Sequence, residues 1–308
     1  MAHRILLGPQ RPNINLGEAV AAAPFPDGPL AVISAGWQEA EGDIDDLRAL
    51  VDRPLIDLEL YHRAERVFAN DQALTAIYRE RQDRLQELQR LYRLRLAQAM
   101  LAARRIRRAV AAQDLIAAEE RHAIAQLRAL DRHHFRRVQS VFDEFAASIA
   151  ESGALAEHTA AIEAQLEDCA AVMITGGHVL VLLNRLQLFG LRRLLSNRHL
   201  ITWSAGAMVL SDQLVLFHDK TPLGRRDPEL VGPGLGLLPG YIVLPDAQKR
   251  LRTKDPVRTG LFSSRFAPAR CITLNNGSQL HLEGGKVVEA LRVGQLRPNG
   301  VIASLNAA

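Results

Sequence analysis

The chain has 308 residues, 48% hydrophobic and 23% charged, which excludes a disordered chain and allows a sizeable buried core. Its net charge is only +4 although 34 of its 38 basic residues are arginine, so composition alone makes no case for a nucleic-acid partner. No apolar run of about 18 residues predicts a membrane span, and the opening "MAHRILLGPQRPN" lacks the apolar stretch of a secretory signal.

In chain order, "RILLG" and "PLAVISAGW" are short apolar runs between Pro, Asn and Gly, and they predict strands with turns between them. "GDIDDLRALVD" (42–52) predicts a short helix with acidic residues in its first turn. Between Tyr61 and Ser152 there is neither Pro nor Gly. Leu85, Leu88, Leu91, Leu94 and Leu96 recur at helical spacing, as do Ile116, Ile124, Leu127 and Leu130. The spacing predicts two long helices, about 71–111 and 114–151, with Asp114 as the cap of the second. Such a pair is expected to form an antiparallel, coiled-coil-like hairpin with a shared apolar seam. Its runs "AARRIRRAV" and "DRHHFRRVQ" place arginines beside that seam, with Ile106 and Val110 at i, i+4.

Beyond about residue 154 strands and helices alternate. "CAAVMIT" (169–175) and "HLITW" (199–203) are almost continuously apolar, as buried parallel strands are. "VLVLLNRLQLFGLRRLL" between them predicts one amphipathic helix, and "LVLFHD", "YIVLP", "CITLN", "SQLHLEG" and "KVVEALRV" predict further strands, the last three as a meander. "FHDKTPLGRRDPELVGPG" (217–234) reads as a long loop over the rim of the sheet. The fold class is therefore α/β: a mostly parallel sheet flanked by helices over 1–60 and 153–308, with residues 61–152 inserted as a helical hairpin. Cys169 and Cys271 lack metal-ligand spacing and lie in or beside apolar runs, so they are expected to be buried in a reducing compartment. The expected location is the cytoplasm, and no cofactor or metal is expected.

Three short motifs carry chemistry. Ser204 in "WSAGA" follows a buried strand and opens a helix, which is how a chain exposes a nucleophilic hydroxyl above a sheet. The bland reading of the same serine is a helix cap. The N–H of Ala205 would face a developing oxyanion at that helix start. "TGGH" (175–178) ends the preceding strand, about 27 residues earlier, and Gly176 and Gly177 let the backbone approach a ligand there. Gly177 would supply the second oxyanion N–H, since adjacent parallel strands bring both turns to one rim.

"ITGGHVLVLLNRLQLFGL", "WSAGA" and "GLGLLPGYIVLPD" together resemble peptidase family S51, the dipeptidase E and cyanophycinase group of serine peptidases. The resemblance covers about 154–290 and the "AVISAGW" strand, and it leaves out the hairpin. It implies a class I glutamine amidotransferase-like fold, a serine activated by His and Glu, and small acidic peptides or isoaspartyl-type linkages as substrates. It also marks two departures. Asp246 stands in the "P-D" pair where the family has its His, and Asn276 in "LNNG" stands where the family has its acid. An ordinary Asp is a far weaker base than imidazole at neutral pH. His178, directly after the paired glycines, is the alternative base. His218 is a second, with Asp219 ill-placed to orient it because neighbours in a strand face opposite ways. His281, alternating with apolar residues, is read as solvent-facing. Arg225 and Arg226 are the candidate carboxylate binders.

Two functions follow as expectations. One is a peptidase E-like hydrolase of small peptide or amide bonds through Ser204. The other is a non-catalytic member that keeps a small-ligand pocket, with the hairpin as an oligomerisation or partner-docking arm. Nucleic acid is the least expected partner.

Overall fold

The computed structural model describes residues 1–219 and 227–306. Five short strands, β1 (His3–Leu7), β2 (Leu30–Ile33), β3 (Leu55–Asp57), β4 (Ala171–Ile174) and β5 (His199–Trp203), run parallel in the order β3–β2–β4–β5–β1. Every residue of β2 and β4 is buried, which explains their unbroken apolar sequence: helices cover both faces. β6 (Gln213–Leu216) and β7 (Glu229–Pro233) form a separate antiparallel ribbon. The main sheet is completed by β8 (Tyr241–Pro245), β9 (Arg270–Glu283), β10 (Lys286–Leu296) and β11 (Ile302–Ser304). One edge of β9 is shared end to end: β8 pairs with Arg270–Leu274 and β1 with Gln279–Glu283.

The helices alternate with this sheet. Before the long insertion come α1 (Leu16–Ala21), a 3-10 turn (Ala35–Ala40), α2 (Asp45–Leu50) and α3 (Leu60–Asn70). The insertion is α4 (Gln72–Arg107) and α5 (Gln113–Ala150). Asp71 caps α4 by accepting from the Leu74 N–H at 2.8 Å, and Ser152 caps the next helix, α6 (Gly153–Glu167), by accepting from Leu155. The Ser152 hydroxyl also donates to Asp71 at 2.6 Å, so the two ends of the insertion meet. Asp114 is not the cap of α5; it lies one residue inside the first turn, with Ala112 at the cap position.

The hairpin does not project freely. It lies along β7 and α11 (Pro256–Phe266), after α7 (Val179–Leu188), α8 (Leu191–Leu195), α9 (Ala205–Val209) and α10 (Ala247–Arg250) have covered the sheet. Its anchor is Arg265, whose side chain is fully buried and donates to both oxygens of Asp131 at 2.7 Å. The same guanidinium donates to the Tyr92 hydroxyl at 2.6 Å and the Pro228 carbonyl at 2.7 Å. Tyr92 stacks on His134, and burial holds the His134 pKa below the usual imidazole value. Arg104 and Arg108 pair with Asp227 and Asp255, and Arg107, paired with Glu120 of α5, also donates to the Val257 carbonyl and the Ser264 hydroxyl, so these arginines dock the hairpin within the chain.

Several expectations are corrected. The "VLVLL…LRRLL" segment is two helices, because Gly190 at φ 62° breaks it. The expected strands "CITLN" and "SQLHLEG" are one, because Asn275–Gly277 stay inside the single long strand β9. Residues 229–233 of the expected loop form β7, and "LVL" (214–216) belongs to the ribbon instead of the main sheet. His281 is half-buried and hydrogen-bonded to His3 at 3.1 Å. No helix among the described residues is long and apolar enough to cross a membrane.

Candidate active site

The carboxyl ends of β1, β2, β4 and β5 open onto a cleft of about 720 Å³. Such a crevice is where ligands bind in open α/β sheets. Ser204 sits between β5 and α9 at φ 50°, ψ −115°, a backbone conformation that favours glycine. Its side chain makes no capping hydrogen bond to α9. The cap reading therefore fails, and the hydroxyl is left to the cleft.

The strained turn is possible because its neighbours have no side chains to clash. A Cβ on Gly206 would stand 2.2 Å from the Ile174 carbonyl oxygen, so α9 can lie on the end of β4 only with glycine there. A Cβ on Gly176 would stand 3.1 Å from the Ser204 Cβ, which places the two motifs in contact. Gly177, at φ 116°, presses against Gly36, and the His178 N–H donates to the Gly36 carbonyl at 2.7 Å. The "AGW", "TGGH" and "WSAGA" turns thus form one packed backbone ridge, with Gly177 and Ala205 both lining the cleft beside Ser204.

Asp246 lines the same cleft in left-handed conformation, φ 55°, fixed by its N–H donating to the Leu274 carbonyl at 2.9 Å. Its carboxylate lies 3.7 Å from the Lys249 ammonium. Asn276 is elsewhere. Its amide nitrogen donates to the carbonyls of Pro9 (2.7 Å) and Asn13 (2.9 Å), and its oxygen accepts from the Asn13 N–H. It clamps the loop after β1, whose Pro9, Gln10 and Arg11 form a cleft wall.

His178 caps α7, its Nδ1 accepting from the Val181 N–H at 3.2 Å, and lines an adjoining pocket of about 310 Å³. His218 lines both that pocket and the Ser204 cleft. Asp219 beside it is buried and held by Arg258 and the Arg252 N–H. Arg225 and Arg226 lie outside the described residues. The sequence motifs do not reveal the charged cleft walls: Asp43 and Asp46 on one side, Arg250 and Lys249 on another. Among the described residues no group of three or more His, Cys, Asp or Glu is arranged to hold a metal.

The family model of peptidase family S51 matches residues 125–290, more than half of the chain. No curated protein matches it. Among solved structures, a peptidase from an acI-B1 Actinobacterium is similar at 15% identity and a TM-score of 0.44, over 100% of this chain and 95% of that one. A putative peptidase E protein from Listeria monocytogenes EGD-e is 17% identical with a TM-score of 0.31, over 43% of this chain and 65% of its own. The matched span runs from within α5 through the glycine turn, the Ser204 elbow and the Pro245–Asp246 pair, and the chain belongs to peptidase family S51.

Proposed function

We propose that the protein is a serine-dependent hydrolase of small peptide or amide bonds. The observation that carries this reading is Ser204: a non-glycine residue at φ 50° whose hydroxyl serves no cap and faces the cleft. Such strain costs about 1–3 kcal/mol and is retained at functional sites. Ser204 would attack the carbonyl carbon, and the N–H groups of Gly177 and Ala205 would hold the oxyanion of the tetrahedral intermediate. Collapse releases the amine, and water then cleaves the acyl-enzyme, returning the serine. The serine's proton must go to a base that then gives it to the departing amine. His218 is the imidazole that lines the Ser204 cleft, and it takes that role here. Small acidic peptides are the substrates this reading favours, with the cationic wall of Lys249 and Arg250 as the carboxylate-binding side. Two buried, unpaired thiols suit a reducing compartment such as the cytoplasm, and burial pushes the Cys271 thiol up to about 12, which removes it as a rival nucleophile.

A second reading rests on Asp246. At the family's His position this chain carries a carboxylate held near Lys249, which favours a non-catalytic ligand-binding protein. A fluorophosphonate probe separates the two. The hydrolase reading expects labelling of wild type at Ser204, none in Ser204→Ala, and a rate at least about 100-fold lower in His218→Gln. No labelling of wild type from mildly acidic to mildly alkaline pH would leave the ligand-binding reading.

A further inference from the structure

The outermost face of α4 carries a heptad pattern that the fold leaves uncovered. Glu87, Leu91, Leu94, Gln98, Leu101 and Arg105 follow one another at alternating steps of four and three residues, and all six are exposed. Leu91, Leu94 and Leu101 are 47%, 61% and 38% exposed. A step of 3.5 residues keeps side chains on one stripe of a helix, and apolar residues at that step form the seam of a coiled coil. The intrachain face of the helix is a different one. Leu74, Tyr78, Tyr92, Leu96, Met100 and Ala103 are buried there, so the stripe is not a spare edge of the core.

The ends of the stripe say what covers it. Reversing the helix about Leu96 superposes the pattern on itself with opposite charge: position 87 meets 105, 91 meets 101, and 94 meets 98. Two copies packed antiparallel therefore place each Glu87 against the other copy's Arg105 and each Leu91 against a Leu101. Arg105 is available for this. Its neighbours Arg104, Arg107 and Arg108 all pair with carboxylates inside the chain, whereas Arg105 has no side-chain partner among the described residues. Glu87 is held by Arg90 at 2.6 Å, an exposed pair that keeps the carboxylate on the helix surface.

We propose that α4 is the interface of a two-fold symmetric homodimer, with Glu87–Arg105 ion pairs closing both ends of a leucine seam. The contact is isologous, as two-fold interfaces are, and it extends about 27 Å along the helix. A single helix pair of that length buries little area, so the dimer is a reversible one that dissociates on dilution. It leaves the Ser204 cleft open, and it does not depend on whether that cleft is catalytic.

Sedimentation velocity of the full chain over a wide concentration range tests it. Wild type is expected to shift from monomer to dimer as concentration rises. Leu94→Glu, an exposed site whose change is expected to leave thermal unfolding of the dilute monomer unaltered, is expected to raise the dissociation constant at least tenfold. Glu87→Arg and Arg105→Glu each weaken the dimer several-fold, and the chain carrying both regains affinity to within about threefold of wild type, as charge exchange across an antiparallel pair requires. A chain that stays monomeric at every concentration overturns the proposal. So does a dimer indifferent to Leu94→Glu, or a double reversal weaker than either single one.

Discussion

Two non-glycine residues with positive φ, Ser204 and Asp246, face one cleft from the ends of neighbouring elements. They differ in kind. Asp246 occupies the left-handed region that Asp tolerates, whereas Ser204 at ψ −115° occupies one that a Cβ disfavours. The strain at Ser204 should thus be measurable as stability. Replacing Ser204 with Gly removes the Cβ and relieves it, offset in part by the entropy of an added glycine in the unfolded chain. Ser204→Ala keeps the Cβ and the strain. The glycine variant is expected to be more stable than the alanine variant by about 1 kcal/mol, roughly 2 °C in midpoint for a chain of this size, by thermal denaturation. Equal midpoints would show that the elbow is unstrained.

At the scale of elements, the hairpin is joined to the rest of the chain by a buried ion pair as well as by apolar packing. Arg265 projects from α11 into the hairpin, fully buried, with Asp131 and Tyr92 as partners. Removing one member of a buried pair leaves the other uncompensated, at a cost of about 3–5 kcal/mol, while replacing both with apolar residues is often close to neutral. Arg265→Met alone should therefore destabilise the protein by about that amount in urea titration, and Arg265→Met with Asp131→Leu should recover most of the loss. A double variant as unstable as the single one would assign the stability to the Tyr92 and Pro228 bonds instead. The helices themselves are legible in the sequence because a stretch without Pro or Gly and with periodic leucines has few alternatives. What the periodicity hides is which leucine faces where. Leu85, Leu88 and Leu96 turn inward, while Leu91 and Leu94 turn out, a division fixed by packing on β7 and α11 that no local signal contains. The candidate site divides the same way. Gly176, Gly177 and Ser204 can be read as neighbours because they end adjacent parallel strands. The Asp43, Arg250 and His218 walls come from segments far apart in the chain, brought together only by the finished fold. Asn276 is legible as a position but not as a role, since its clamp on Pro9 and Asn13 depends on β1 pairing with β9.

For the molecule as a whole, the question is whether the insertion is an appendage or part of the core. Its ends argue for an appendage: the Asp71 and Ser152 side chains meet at 2.6 Å, so a short linker could replace everything between them. Its faces argue the opposite. Leu127, Leu130, Val141 and Phe145 share one continuous core with Leu6, Ile174 and Leu244 of the sheet, and Val138 packs where a Cβ on Gly232 would come within 2.9 Å. Excision would also leave Arg265 without its carboxylate in what had been a buried site. The second argument involves more buried apolar surface than the single hydrogen bond in the first, at about 25 cal/mol per Å². Replacing residues 72–151 with a short Gly-Ser linker is therefore expected to abolish cooperative unfolding and near-ultraviolet circular dichroism, and to expose dye-binding apolar surface. A shortened chain that unfolds in one sharp transition would make the hairpin a true accessory. The prediction is separate from dimerisation, because Leu94→Glu alters only the outer face of α4 and leaves every inward contact in place.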